Sequence, residues 1–217
     1  MAGDGAGVFD MTMLTALALL LTPGEGQAAT GPSFGCAGAL SPVETLICGD
    51  AELSAYDRAM AFAWSHKWRP HEPDWASQQA WLKRRNDCGS KRGCVLEAYQ
   101  AWIGALDFLD SEVASEPLKR AGDKGMNSSE LFLHALGGDW YIVSAQALTF
   151  YDLPDGQGPT FNSSDLGTQL IHVVGGKATD GVCGVDFTRL PKGRWKLVET
   201  GDTCSGMRST LSGIYGP

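Results

Sequence analysis

The chain has 217 residues, of which 43% are hydrophobic and 19% charged, with a formal net charge of −8 at pH 7. This length and apolar content are ordinary for a globular protein and allow one or two domains with a sizeable core. The acidic balance argues against nucleic-acid binding, whereas it suits a cationic protein partner or serves solubility alone.

The amino terminus has the pattern of a secretory signal peptide over residues 1–28. An apolar run over residues 11–21 is followed by Gly26-Gln27-Ala28, a small-x-small cleavage pattern. The run is too short to span a bilayer as a helix. No Lys or Arg precedes Arg58, so the usual positive n-region is missing. Without residues 1–28, 22 acidic and 17 basic residues leave a charge of −5. We therefore expect a periplasmic or secreted protein with no transmembrane segment in the mature chain.

The next segment begins with two helix-start signals. Ser41-Pro42-Val43-Glu44 is a capping box with proline at the first helical position, and it predicts a short helix that ends near Cys48. Asp50 is then the N-cap of a longer helix. Apolar residues at helical spacing predict its buried face, namely Leu53, Tyr56, Met60, Ala63 and Trp64.

Two further helices complete a helical hairpin with an extra arm. Pro70 and Pro73 make a turn, after which a helix is expected from about Asp74 to Asp87. A loop over residues 89–93 separates it from a helix starting at Cys94, whose apolar positions are Leu96, Tyr99, Trp102, Ile103 and Leu106. A core this small needs covalent staples.

All six cysteines follow residue 35, and their even number favours disulfides over free thiols: Cys36, Cys48, Cys88, Cys94, Cys183 and Cys204. Zinc sites are the rival interpretation, but they usually show C-x2-C pairs or nearby histidines. Cys183 and Cys204 are expected to pair with each other. The first four cysteines allow three pairings, and the greater entropy of longer loops favours links from the amino-terminal arm to the Cys88–Cys94 region.

In the second half of the chain, the helical spacing of apolar residues gives way to short strand-like segments. Residues 111–134 mix charges with glycine, asparagine and serine and are interpreted as a linker. Short strands separated by turn signals are predicted at residues 140–143, 147–151, 169–174 and 195–198. They favour a small antiparallel β barrel or sandwich over residues 135–217. The expected fold class is α+β, with a disulfide-stapled helical module over residues 34–110 in front of this β domain.

The helical segment also carries a pattern of four cysteines in register with particular aromatic, charged and apolar residues. The pattern consists of Cys36, Pro42-Val43-Glu44, Ile47-Cys48, Glu52-Leu53, Asp57, Trp81-Leu82, Arg85-Asn86, Cys88, Cys94 and Tyr99. In this it resembles the amino-terminal domain of the LprI lysozyme-inhibitor family, over residues 34–109. Trp102 departs from the pattern, since an arginine is common there. The resemblance implies a bacterial secreted binding protein whose named function is inhibition of lysozyme.

Several of these side chains have a structural interpretation. Trp81 and Tyr99 are expected in the core, and Arg85 is expected to pair with Glu52 or Asp57 rather than to serve as a surface anchor. The cluster Lys83-Arg84-Arg85 with Lys91 and Arg92 is interpreted as a solvated helix face. A carbohydrate-stacking stripe is the alternative use of five tryptophans that helical spacing otherwise assigns mostly to the core: Trp64, Trp68, Trp75, Trp81 and Trp102.

Signals for catalysis and cofactors are weak. The only close histidine pair, His66 and His71, straddles a proline, and no Gly-x-Ser-x-Gly elbow occurs. We therefore predict a binding protein without a cofactor, not an enzyme. An inhibitor of a cationic lysozyme needs an acidic face and a polar loop that enters the cleft. The candidate loops are residues 89–93 and 155–158. The alternative function is a cell-envelope interaction or assembly module that inhibits no enzyme.

Overall fold

The computed structural model describes residues 30–66, 75–105, 117–154, 158–201 and 209–217, with residues 75–78 as backbone only. It is an α+β protein with four helices followed by one large antiparallel sheet among these residues. No helix in the described ranges is long and apolar enough to cross a membrane. The predicted signal peptide, residues 1–28, lies outside the described residues.

The first two helices begin where the sequence signals place them, whereas the fourth begins at Arg92, two residues before the predicted start at Cys94. Helix α1 is Pro42–Gly49, with both halves of the Ser41–Glu44 capping box present. Helix α2 is Ala51–Ser65, and the carboxylate of its N-cap Asp50 accepts the amides of Glu52 and Leu53 at 3.0 Å each. Helices α3 and α4 are Trp75–Asp87 and Arg92–Gly104.

The helices share one core with the outer face of the sheet. Its fully buried members include Ile47, Leu53, Val95 and Tyr99, and the sheet contributes Ile142. Trp64 and Trp102, both predicted in buried positions, are only half-buried. The helical module therefore uses the sheet to complete a core that its own short helices are too small to close.

In the part of the chain that the structure describes, the sheet has nine strands: β1 Leu118–Arg120, β2 Ser128–Gly137, β3 Trp140–Asp152, β4 Pro159–Asp165, β5 Gln169–His172, β6 Lys177–Thr179, β7 Val185–Arg189, β8 Trp195–Glu199 and β9 Gly213–Gly216. Their order is β4-β3-β2-β1-β9-β8-β7-β6. Strand β5 pairs with the first half of β3, and β4 pairs with the second half. Strand β3 is thus the longest of these strands and pairs with three others, β2, β4 and β5.

The sheet curls around a second core. Side chains from β2, β3, β5, β7, β8 and β9 meet inside it, with Phe187, Leu197 and Tyr215 fully buried. The rings of Tyr141 on β3 and Trp195 on β8 lie edge to face with centroids 5.4 Å apart, although three strands separate β3 from β8 in the sheet order. Burial of the Tyr215 hydroxyl raises its pKa to about 12.

Arg58 on α2 joins the helices to the sheet. Its guanidinium donates to the carbonyl oxygens of Leu136 at 2.7 Å and Gly137 at 3.4 Å, at the end of β2. It also donates to the carbonyls of Thr30, at 3.0 Å, and Gly31 in the amino-terminal arm. One cation therefore links three separate segments of the chain.

Two sequence-based assignments in the second half are wrong. The predicted linker, residues 111–134, contains β1 and most of β2, while its residues 111–116 lie outside the described residues. The strands predicted at 140–143 and 147–151 are one strand, β3. The intervening residues 144–146 pair with Phe132, Leu131 and Glu130 of β2, so the strand continues through them without interruption.

Candidate partner-binding site

A buried carboxylate organises the helical module. Asp57 on α2 is 5% exposed, and its Oδ1 accepts the hydroxyl of Tyr99 at 2.8 Å and faces Arg85 Nη1 at 3.5 Å. Its Oδ2 accepts both the amide of Ser33, at 2.8 Å, and the Ser33 hydroxyl, at 2.5 Å. This carboxylate therefore ties together α2, α3, α4 and the amino-terminal arm.

Arg85 is buried, and each nitrogen of its guanidinium group has a polar neighbour. It is 8% exposed, and its Nε and Nη2 donate to the side-chain oxygen of Asn86 at 3.1 and 2.9 Å. Its Nη1 also donates to the Tyr99 hydroxyl at 3.3 Å, and its guanidinium lies 5.4 Å from the centroid of a Trp81 ring. Such a cation positions its neighbours and is not free to reach a partner.

The aromatic members of this network are fixed by polar contacts as well as by packing. Trp81 donates its indole N–H to the carbonyl of Ala98 at 2.8 Å, and its ring meets Tyr99 edge to face at 5.3 Å. Burial, followed by the neighbouring charge of Asp57, raises the pKa of Tyr99. The phenol consequently remains a hydrogen-bond donor at neutral pH.

Four of the residues carried by the family-like pattern thus meet in one place: Asp57, Trp81, Arg85 and Tyr99. Glu52, the other candidate partner for Arg85, lies elsewhere. It forms an ion pair with Arg92, which also binds Asp50 with Nε and Oδ2 2.7 Å apart. The side-chain hydrogen bonds that Arg92 donates to Asp50 and Glu52 raise the pKa of Arg92.

The loop between α3 and α4 is short and closed by a covalent bond. Cys88 and Cys94 form a disulfide with their Cα atoms 5.6 Å apart. Gly89 has φ +56°, a left-handed conformation in which glycine carries no steric penalty, and its amide donates to Asn86 at 3.0 Å. Ser90 and Lys91 at the loop's centre are exposed.

The cysteine pairing expected from loop length is wrong. Cys36 pairs with Cys48, with Cα atoms 5.8 Å apart, and the second bridge joins Cys88 to Cys94. Each bridge therefore joins cysteines that are close in sequence. Neither bridge links the amino-terminal arm to the Cys88–Cys94 region. Cys183 is buried and disulfide-bonded, and its expected partner, Cys204, lies outside the described residues.

Several other predicted positions lie outside the described residues, and the described ones do not form a metal site. Of the second candidate loop, residues 155–157 lie outside the described residues, as do His71 and Trp68. Within the described part of the chain, no group of three or more histidine, cysteine or acidic side chains could hold a metal ion. His66 instead lies beside Phe62, whose ring stacks on His134 of β2 with centroids 3.7 Å apart.

Three polar anchors were not singled out from the sequence. Ser33 and Arg58 both make contacts between segments that are distant along the chain. Asp180, 4% exposed, accepts the amides of Val182, Cys183 and Val185 at 2.8, 2.6 and 2.5 Å. Of these three residues, only Asp180 has a recognisable local pattern in the sequence, because Asp followed by Gly is typical of turns.

Comparison of the chain with protein-family models, with curated proteins and with solved structures finds no match.

Proposed function

We propose that this protein is a secreted or periplasmic binding protein that inhibits lysozyme by placing the loop between Cys88 and Cys94 in the enzyme's cleft. The observation that carries the proposal is an exposed polar loop, closed by a disulfide and mounted between two helices. The family resemblance of residues 34–109 supplies the identity of the enzyme.

The chemistry of the loop suits a cleft that contains two carboxyl groups, as lysozyme's does. Lys91 offers an ammonium and Ser90 a hydroxyl, and both side chains are exposed at the centre of the loop. Hydrogen bonds between a cation and a carboxylate are stronger than neutral ones. The net negative charge of the chain favours association with a cationic enzyme.

The loop is also held in shape before any partner arrives. The disulfide closes it, and Arg92 at its end is bound by Asp50 of the α2 cap and by Glu52. A loop ordered in advance loses less conformational entropy on binding, which is the advantage that rigid inhibitor loops exploit.

The direct test is the rate of lysozyme-catalysed cell-wall lysis at increasing ratios of this protein to enzyme. We expect inhibition at stoichiometric ratios. The Lys91→Ala variant should inhibit at least about tenfold more weakly, because loss of one partner of a buried ion pair costs more than about 1.4 kcal/mol. Lys119→Ala removes an exposed lysine on β1 and should inhibit like the wild type. Unchanged lysis at large excess of the wild type would reject the proposal.

A pair of disulfide variants tests the role of loop closure. Replacement of Cys88 and Cys94 by serine should lower the free energy of unfolding by about 2 kcal/mol and should also weaken inhibition. The disulfide between Cys36 and Cys48 closes a different segment. Replacement of these two cysteines by serine should lower stability without a specific loss of inhibition. Equal inhibition by both double variants, compared at equal folded concentration, would remove the loop from the mechanism.

The alternative from the sequence, an envelope interaction module, makes a different prediction in the same experiments. If the protein is such a module, a pull-down from envelope extracts should recover a specific partner, and lysozyme activity should be unchanged. The two outcomes are separable because the lysis assay contains only purified components.

A further inference from the structure

A cleft opens in the helical module above the Asp57–Arg85 network. Its volume is about 380 Å³, within the range of about 300–1,000 Å³ common for small-molecule sites. Helices α1, α2 and α3 and the amino-terminal arm line it, with Asp57, Trp81 and Arg85 at its buried floor. The residues that form its walls are Ser33, Phe34, Glu44, Met60, Ala61, Trp64 and Leu82.

The cleft has two chemically different parts. Phe34, Trp64 and Leu82 are half-buried and contribute two aromatic rings and an aliphatic side chain. Glu44 and Ser33 contribute a carboxylate and a hydroxyl. The Ser41 hydroxyl and amide donate to Glu44 Oε2 at 2.6 and 2.8 Å, and these bonds lower the pKa of Glu44. Glu44 therefore stays a hydrogen-bond acceptor at neutral pH.

The charges of the floor are already matched within the protein. Asp57 receives Tyr99, Ser33 and Arg85, while Arg85 also binds Asn86. A strongly charged ligand would have to displace these contacts from a buried position, at a high desolvation cost. An uncharged ligand with an apolar face and several hydroxyl groups would leave the network intact.

We propose that this cleft binds a segment of an uncharged carbohydrate chain. A pyranose ring is amphipathic in the way the cleft requires, since its C–H face packs on an aromatic ring and its hydroxyls donate at the edge. Trp64 and Phe34 supply the apolar surface, and Glu44 is the acceptor at the rim. Of the candidate stacking tryptophans whose side chains the structure describes, Trp64 and Trp81 line this cleft.

This site is separate from the proposed inhibitory loop. None of the residues lining the cleft belongs to the stretch from Cys88 to Cys94. Carbohydrate binding would hold the protein on a glycan surface, whether or not it also inhibits an enzyme. The proposal therefore does not depend on the proposed function.

Isothermal titration calorimetry of the full-length protein tests it, with the tetramers of N-acetylglucosamine and of glucose as probes. We expect saturable binding of at least one tetramer. Trp64→Ala should weaken it about tenfold or more, because the stacking surface is lost. Ala61→Trp places a bulky ring in the cleft from an exposed helical position and should abolish binding while leaving the buried network in place. Phe161→Ala removes a 56% exposed ring on β4 and should bind like the wild type.

Circular dichroism of each variant confirms that it is folded before titration. Absence of saturable binding of both tetramers to the wild type would overturn the proposal. Wild-type affinity in folded Ala61→Trp would also overturn it, because the sugar would then bind elsewhere. Binding of trilysine that Ala61→Trp abolishes, without binding of either tetramer, would assign the cleft to a cationic peptide and equally overturn it.

Discussion

Asp57 is the residue on which the buried polar contacts of the helical module converge. Its two oxygens receive hydrogen bonds from Tyr99 and Ser33 and face Arg85, which lie on three different segments. A buried carboxylate is stable only when such partners satisfy it. The specificity of the helical packing therefore depends on one acidic side chain.

Asp57→Ala is expected to lower the free energy of unfolding by about 3–5 kcal/mol, because it leaves the buried Arg85 without its carboxylate. Chemical denaturation followed by circular dichroism measures the loss. Asp87→Ala is the matched control. It breaks an exposed pair with Lys83 and should cost less than about 1 kcal/mol. Equal losses in the two variants would show that the buried network contributes little to stability.

The sequence alone could not choose between the two acidic neighbours of Arg85. Glu52 and Asp57 lie on the same helix, and either could face a cation on α3. The choice depends on two other contacts. Arg92 forms an ion pair with Glu52, and Ser33 donates hydrogen bonds to Asp57. Both contacts join segments that are distant in sequence, so no local pattern reports them.

At the scale of elements, the start of α2 combines a cap with an ion pair. Asp50 accepts two backbone amides through Oδ1 and binds Arg92 through Oδ2. Burial raises its pKa, but the hydrogen bonds from Arg92, Leu53 and Glu52 outweigh this effect, so that the pKa of Asp50 is lowered on balance. The unfolded chain therefore takes up the proton at a higher pH than the folded protein does.

The stabilisation by ionised Asp50 should be complete above about pH 4, the usual pKa of an aspartate, and should disappear as the pH falls through the lowered value. We expect Asp50→Asn, which keeps the cap but removes the charge, to cost about 0.5–1 kcal/mol at pH 7. Denaturation of both proteins between pH 2 and 7 measures this cost. A cost that stays constant down to pH 2 would contradict the assignment.

The helical elements were more predictable than the strands, for a physical reason. The signals for α1 and α2 are local, because a capping box and an N-cap lie within four residues of each helix start. Strand β2 has no simple alternation of apolar and polar residues. Leu131 faces the core inside the sheet, whereas Phe132 and Leu136 pack against the helices on the other face. A strand covered on both faces resembles an irregular segment in sequence.

The whole molecule depends on how the helical module meets the sheet. Arg58 makes this junction with hydrogen bonds to carbonyl oxygens of Thr30, Gly31, Leu136 and Gly137. Burial lowers the pKa of Arg58, and the negative charge of the neighbouring Asp57 opposes this effect only in part. The helical module and the β domain predicted from the sequence are therefore joined by a cation whose partners the sequence does not reveal.

Arg58→Ala is expected to lower the free energy of unfolding by about 2–3 kcal/mol, since each hydrogen bond from a charged group contributes about 1.5–3 kcal/mol and water replaces some of those lost. It should also make unfolding of the helices and the sheet separable. Hydrogen exchange at the amides of α2 and of β8, measured at increasing denaturant concentration, follows the two parts separately. The control is Arg84→Ala, an exposed arginine on α3. Coincident transitions at wild-type stability in Arg58→Ala would contradict this role.

The connectivity of the cysteines bears on how the protein is made. Cys36 and Cys48 are the first two thiols along the chain, and Cys88 and Cys94 are the next two. Oxidation of the thiols in their order along the chain would therefore generate both bridges with their native pairing. That order of oxidation passes through no mispaired intermediate that an isomerase would have to reshuffle.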